Sequence, residues 1–281
     1  MVKIYQVKRI MSSIFGLLTF LVTALPSLAV SIEFVTVGNP NNAPDTTGYG
    51  SVSYSYKISK HEITVSQYNE FVNSISSPYM VTYLSWEGNY PVAGISWFNA
   101  ARFCNWLHGG DTETGAYNLN GATSGVFQKN PDALYWIPSE DEWYKAAYYD
   151  PLKDGIGGYW KYPNRGDSIS SDDANINYSA AWNTGFGVEN RANVGSYTPS
   201  YYGTFDQGGN VWEWAAPNKI RGGSYNTAVL LNLDKASWDE WAPETALSDF
   251  GFRIATIPEP SALSLLAVGL GVVLRRRRRT V

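Results

Sequence analysis

The apolar positions of this chain fall into three short helical stripes, separated by long polar stretches rich in glycine. Behind Thr64, the residues Val65, Tyr68, Phe71, Val72 and Ile75 recur at the three- and four-residue spacing that places them on one helical face. Behind Ser96, the residues Trp97, Ala101, Cys104 and His108 form a stripe beside Phe98 and Leu107; behind Ser139 a weaker one runs through Trp143 and Ala147. Each stripe carries its own start signal. Thr64 with Gln67 and Ser139 with Glu142 have capping-box spacing, in which two side chains satisfy backbone N–H groups that a helix start leaves unpaired, and Ser96 reads as a third N-cap. Strand-like runs are brief: 51–58, 135–137, 220–223 and 251–255. No repeat and no regular alternation of strand and helix links them, and 109–134 and 160–205 read as long loops. The pattern predicts an α+β domain with much irregular structure.

Both ends depart from this pattern. Lys3, Lys8 and Arg9 precede an apolar run from Ile14 to Leu25, and Ser27-Leu28-Ala29 supplies a small-x-small cleavage site, so residues 1–29 read as an export signal and the mature chain as starting near Val30. An uncleaved anchor is the alternative, but the run falls short of the roughly 20 residues a spanning helix needs. At the other end, Pro258-Glu259-Pro260 is followed by an apolar stretch from Ser261 to Leu274 and then five arginines, Arg275 to Arg279. That stretch spans about 21 Å as a helix, against a hydrocarbon core of about 30 Å, which fits transient insertion with the arginines on the cytoplasmic side. This order resembles the PEP-CTERM sorting signal of Gram-negative bacteria. The resemblance implies an exosortase-type sorting enzyme as partner, a sorting segment over 257–281, and a body over 30–256 delivered to the cell envelope or beyond it.

Charge looks different once the ends are set aside. Removing Lys3, Lys8, Arg9 and the five tail arginines from 21 basic residues leaves 13 against 25 acidic ones, a net charge of −12 for residues 30–274. A body so acidic has no visible basic face for phosphates, which excludes nucleic acid as a partner and favours divalent cations. Cys104 is the only cysteine, so no intrachain disulfide can form; lying on a helical stripe, it reads as a buried, inert thiol.

Candidate chemistry gathers around Gly208-Gly209-Asn210-Val211-Trp212-Glu213-Trp214. Asp206 and Glu213, with backbone carbonyls near Gly209, supply the hard oxygens that calcium accepts in variable geometry. The plainer reading is that Glu213 pairs or caps inside a buried turn between two indoles. His61 and His108 belong to no metal-ligand spacing and read as structural, and Glu140, Asp141 and Glu142 suit the positive end of the third helix. Many of the 11 Trp and 20 Tyr read as core. Tyr201, Tyr202, Trp238 and Trp241, on loops, are candidates for contact with an extracellular glycan or peptide, since Tyr and Trp combine apolar faces with a polar handle.

Taken in order, six segments resemble the formylglycine-generating enzyme, or sulfatase-modifying factor, family. They are 58–68, Pro91 to Trp97, Ile137 to Trp143, Asp206 to Trp214, Arg221 to Tyr225, and Gly251-Phe252-Arg253. The resemblance implies a C-type-lectin-like α+β fold and structural calcium, with Asn175 and the carbonyl of Ile176 at one ion and Asp206, Gly209 and Glu213 at another. Active members of that family bind copper through two cysteines just after the Gly-Gly-Ser segment and oxidise a substrate cysteine. Thr227 and Asn232 stand in those places here, and neither replaces a thiolate as a soft copper ligand. The expectation is therefore an exported family member without copper chemistry, acting as a binding or structural module. An oxidoreductase acting on a protein cysteine is the alternative.

Overall fold

A computed structural model describes residues 30–75, 88–176, 191–227 and 230–258. The expected export signal over 1–29 and the sorting segment from Glu259 onward, Pro260 included, lie outside these residues; Pro258 lies inside and is exposed. Among the described residues no helix is long and apolar enough to cross a membrane.

All three helices form where their caps stand. Helix α1 (Val65–Ser74) and helix α3 (Glu140–Tyr148) carry complete capping boxes on Thr64 with Gln67 and on Ser139 with Glu142, while Ser96 Oγ accepts the Asn99 N–H at the start of α2 (Trp97–Gly109). Gly110, left-handed at φ 87°, closes α2 by donating its N–H to the Trp106 carbonyl. The apolar stripes meet in one aromatic core, where Tyr68 stacks on Phe103 at 5.8 Å and Phe71 lies 5.3 Å from Trp106. Cys104 is buried among them, and burial pushes its thiol well above the ordinary range, as its place on the stripe predicts.

Among the described residues, ten short strands complete the domain. The first sheet joins β1 (Phe34–Val37), β2 (Tyr56–Ser59), β10 (Ala255–Thr256) and β3 (Tyr135–Trp136) in the order β1-β2-β10-β3, all antiparallel. The second joins β8 (Asp239–Glu240), β7 (Lys219–Arg221), β6 (Trp212–Ala216) and β9 (Phe250–Gly251) in the order β8-β7-β6-β9, with β6 and β9 parallel. A separate hairpin pairs β4 (Tyr149–Asp150) with β5 (Gly158–Tyr159).

Three expected strands need correction. The run 51–58 pairs only from Tyr56, and 220–223 stops at Arg221 because Gly222 and Gly223 turn left-handed at φ 94° and 72°. The run 251–255 is two strands in two sheets. Between them Phe252, Arg253 and Ile254 cross from β9 to β10, the carbonyls of Phe252 and Ile254 accepting from Ile63 and Ser59. That crossing carries Arg253 into the space between the sheets.

Candidate functional site

Arg253 meets Glu213 there. Glu213 lies on β6, whose register with β7 and β9 fixes it opposite Arg221 and Gly251. The guanidinium takes the carboxylate with both prongs, Nε to Oε2 at 2.5 Å and Nη2 to Oε1 at 2.6 Å, and both side chains are fully buried. The remaining donors go to the carbonyls of Ser59, Lys60 and Phe205 at 3.0, 3.5 and 2.8 Å, and the Trp143 indole donates to Glu213 Oε2 at 2.7 Å. A buried ion pair needs such geometry to offset desolvation. Burial opposes the charge on Arg253, yet Glu213, Glu62 and Asp206 hold its pKa above the ordinary value.

The two segments expected to bind calcium come together beside this pair. The Asn210 N–H donates to the Asn175 carbonyl at 2.9 Å, and Asn175 Nδ2 to Asn210 Oδ1 at 3.0 Å. Gly209, at φ 88°, lies so close that a Cβ there would strike the Asn175 carbonyl oxygen. Ile176 is buried next in the chain. Asp206, left-handed at φ 61°, takes the Gly195 N–H on Oδ2 at 2.5 Å, while its Oδ1 is buried without a hydrogen-bond partner.

Sequence reasoning missed one residue. Glu62, buried between β2 and α1, accepts from Asn210 Nδ2 on Oε1 at 3.1 Å and leaves Oε2 buried without a partner. Burial, then the charges of Asp206 and Glu213, push its pKa well above the ordinary carboxylate range. Burial likewise raises Asp206 to about 6. The signal available in the sequence was an acid next to Ile63 and Val65, on a segment otherwise reading as core. Next to it, His61 Nδ1 is also buried without a partner, and burial lowers this imidazole to about 4. The charges acting on His61 are those of Arg253, Lys60 and Glu33. Among the described residues no three His, Cys, Asp or Glu side chains gather as a metal group; hard oxygens from carboxylates, amides and carbonyls are what this site can offer an ion.

Thr227 and Asn232, where the resemblance implies thiolates, make other contacts. Thr227, buried, accepts the Ser224 N–H on its hydroxyl at 2.8 Å and donates its own N–H to the Ser224 carbonyl at 2.9 Å. Ser224 Oγ in turn donates to Asp249 at 2.7 Å. Asn232 lies half-buried on a single 3-10 turn, Leu230–Leu233. The one thiol of the chain is in the core on α2.

The four loop aromatics do not form one surface. Tyr201 and Tyr202, both half-buried, pack edge-to-face at 5.2 Å at the end of β1, where the Tyr202 hydroxyl donates to Asn39 Oδ1 at 3.1 Å. Trp238 and Trp241 flank β8 in the other sheet and are 40% and 37% exposed. Lys219 Nζ lies 4.4 Å over the Trp238 ring, and Trp241 donates to Asp239 at 3.0 Å while its ring meets Phe250 at 5.5 Å.

Fold and site together define a class: an α+β domain with two small sheets tied by a buried carboxylate–guanidinium pair, its Gly-Gly-Ser turn closed by a threonine hydroxyl. The profile of the sulfatase-modifying factor enzyme 1-like domain matches residues 36–257, and the chain belongs to that family. A PEP-CTERM protein-sorting motif matches residues 256–279, which marks the protein for exosortase-mediated sorting to the cell envelope. A search of curated proteins finds no match. Among solved structures, the chain is similar to CarF, at 24% identity and a TM-score of 0.59 over 82% of this chain and 99% of that one. It is also similar to Treponema denticola variable protein 1, at 19% and 0.60 over 82% and 96%, and to PvdO from Pseudomonas aeruginosa, at 15% and 0.50 over 82% and 93%. At these identities the likeness is one of fold.

Proposed function

We propose that this envelope-sorted family member is a binding module without formylglycine-generating copper chemistry. The observation that carries the reading is Thr227: where a thiolate would be needed, a hydroxyl is committed to closing the Ser224 turn. The chain has one cysteine, and it is buried in the core far along the sequence from this turn. Copper held by a pair of thiolates therefore does not fit these residues.

The ligand is an extracellular glycan or peptide, and Trp238 with Trp241 is the surface on which it docks. These two indoles are exposed beside Asp239 and Glu240, and they pair apolar faces with polar groups as sugars and peptides require. Tyr201 and Tyr202 are half-buried against β1 and belong to a separate patch. Structural calcium belongs to the same reading, with Asn175 and the carbonyl of Ile176 at one ion and Asp206, Gly209 and Glu213 at another; the buried, unpartnered Asp206 Oδ1 supports the second, although both Glu213 oxygens are held by Arg253.

Glycan and peptide arrays probed with and without calcium test the binding claim. Retention of a defined set of ligands, lost in Trp238→Ala with little change in melting temperature, is the expected result. An array blank under both conditions contradicts it.

A further inference from the structure

We infer that the end of the first sheet from which the chain leaves for its sorting motif rests on the lipid surface, with Tyr54, Leu134 and Ile257 entering the interface. The topology sets these three side chains together. Strand β10 runs antiparallel to both β2 and β3, with Thr256 opposite Lys57 and Tyr135, so whatever follows β10 emerges where the chain enters β2 and β3. Ile257 follows β10, Leu134 precedes β3, and Tyr54 stands just before β2 with its ring 6.2 Å from that of Tyr56. They are 49%, 41% and 47% exposed. Strand β1 also ends here, and just past it Asn39 accepts the Tyr202 hydroxyl, with the Tyr201 ring packed on Tyr202. Tyrosines and aliphatic side chains thus surround the point where the chain departs.

What covers this end follows from where the chain goes next. The sorting motif begins at Thr256, on β10 itself, and its apolar stretch begins at Ser261. Five residues of fully extended chain span at most about 18 Å. A domain of this size is on the order of 45 Å across, so the tether is less than half its width. While the apolar stretch is in the bilayer, this end of the sheet cannot leave the neighbourhood of the headgroups.

The side chains suit that position. At a membrane boundary tyrosine keeps its ring in the apolar region and its hydroxyl among the headgroups, while Leu and Ile add buried apolar area. The body is acidic and gains nothing from anionic lipid, so the contact is apolar and a zwitterionic surface suffices. The inference rests on insertion of the sorting segment and is independent of the ligand proposed for the Trp238 surface.

The test uses the whole chain with one reporter at a time. Cys104 is buried, so an introduced surface cysteine is the labelling site. Leu134→Cys and Tyr54→Cys carry a polarity-sensitive fluorophore at this end, and Ser66→Cys carries it at the exposed start of α1, beyond the opposite end of β2. Each variant, with its melting temperature checked against wild type, is reconstituted into phosphatidylcholine vesicles that contain a lipid with a quencher high in its acyl chain. Co-flotation with the vesicles reads insertion of the sorting segment separately. The expected result is a blue shift and loss of emission for Leu134→Cys and Tyr54→Cys, and neither for Ser66→Cys. Labels at the first two positions that stay as solvent-like as the third, in protein that floats, overturn the inference. So does quenching that appears only in membranes containing the sorting enzyme, which would assign this end of the sheet to that enzyme. Protein that does not float contradicts the insertion on which the inference depends, and the inference falls with it.

Discussion

Arg253 and Glu213, 40 residues apart in sequence, form a fully buried bidentate ion pair at 2.5 and 2.6 Å that joins the crossing between the two sheets to strand β6. The Gly-Phe-Arg segment and the Trp-Glu-Trp segment are thus one structural unit. Removing either partner strands a charge in the core. Arg253→Ala or Glu213→Ala is expected to cost about 3–5 kcal/mol in urea unfolding. Arg253→Lys should recover little of it, because a point charge cannot reproduce the two-pronged contact. A loss below about 1 kcal/mol would show that the pair is not what holds the sheets together.

Gly209 allows the close approach of the 206–210 turn to the Asn175 carbonyl. Its φ of 88° disfavours any side chain, and a Cβ would collide with that carbonyl. Gly209→Ala should therefore destabilise the fold by about 1–3 kcal/mol in the same assay. Gly38, which has open space around it, is the control and should tolerate alanine.

How much of this was legible in the sequence differs by element. The helices were readable because a cap and a 3.6-residue period are local signals, and Thr64, Ser96 and Ser139 each cap where the pattern places them. The strands were not. Ala255–Thr256 is held by β2 and β3 on either side, so its pairing depends on residues more than a hundred positions away. Trp212–Ala216 read as a turn because its residues are buried on both faces and show no two-residue alternation. The same distance problem hid Glu62, whose partner Asn210 lies 148 positions further on. The motif around Glu213 was visible, but not its role, since only the fold brings Arg253 to it.

Thr227 closes the turn after Gly223 through its hydroxyl. Thr227→Val keeps the shape and removes the acceptor for the Ser224 N–H, leaving a buried donor unpaired. The expected cost is about 1–3 kcal/mol by denaturant unfolding. Thr227→Ser, which retains the hydroxyl, should stay near wild type; equal losses for both variants would locate the effect in packing instead.

Lys145 sets a pH dependence. It is buried on α3, donates to the Asn39 carbonyl at 2.8 Å, and burial lowers its pKa from 10.5 to about 8. Below pH 8 folded and unfolded chains both hold the proton, and the cost of burying the charge is fully present. Above about 8 the folded chain releases it while the unfolded chain retains it, so stability rises with pH toward 10. Groups that burial raises oppose the trend, the Cys104 thiol once pH passes 9.0 and tyrosines such as Tyr144 once it passes 10. Lys145→Met should abolish the rise between pH 8 and 9 and increase stability at neutral pH; an unchanged slope would assign it to other groups.

The central claim is that this family member lacks formylglycine-generating copper chemistry. The direct measurement incubates the purified protein with copper, oxygen and a peptide containing Cys-x-Pro-x-Arg, and reads the peptide by mass spectrometry. The account predicts that the peptide cysteine is recovered without formylglycine, with or without calcium. Formylglycine in the peptide would contradict it, whatever ligand the Trp238 surface proves to bind.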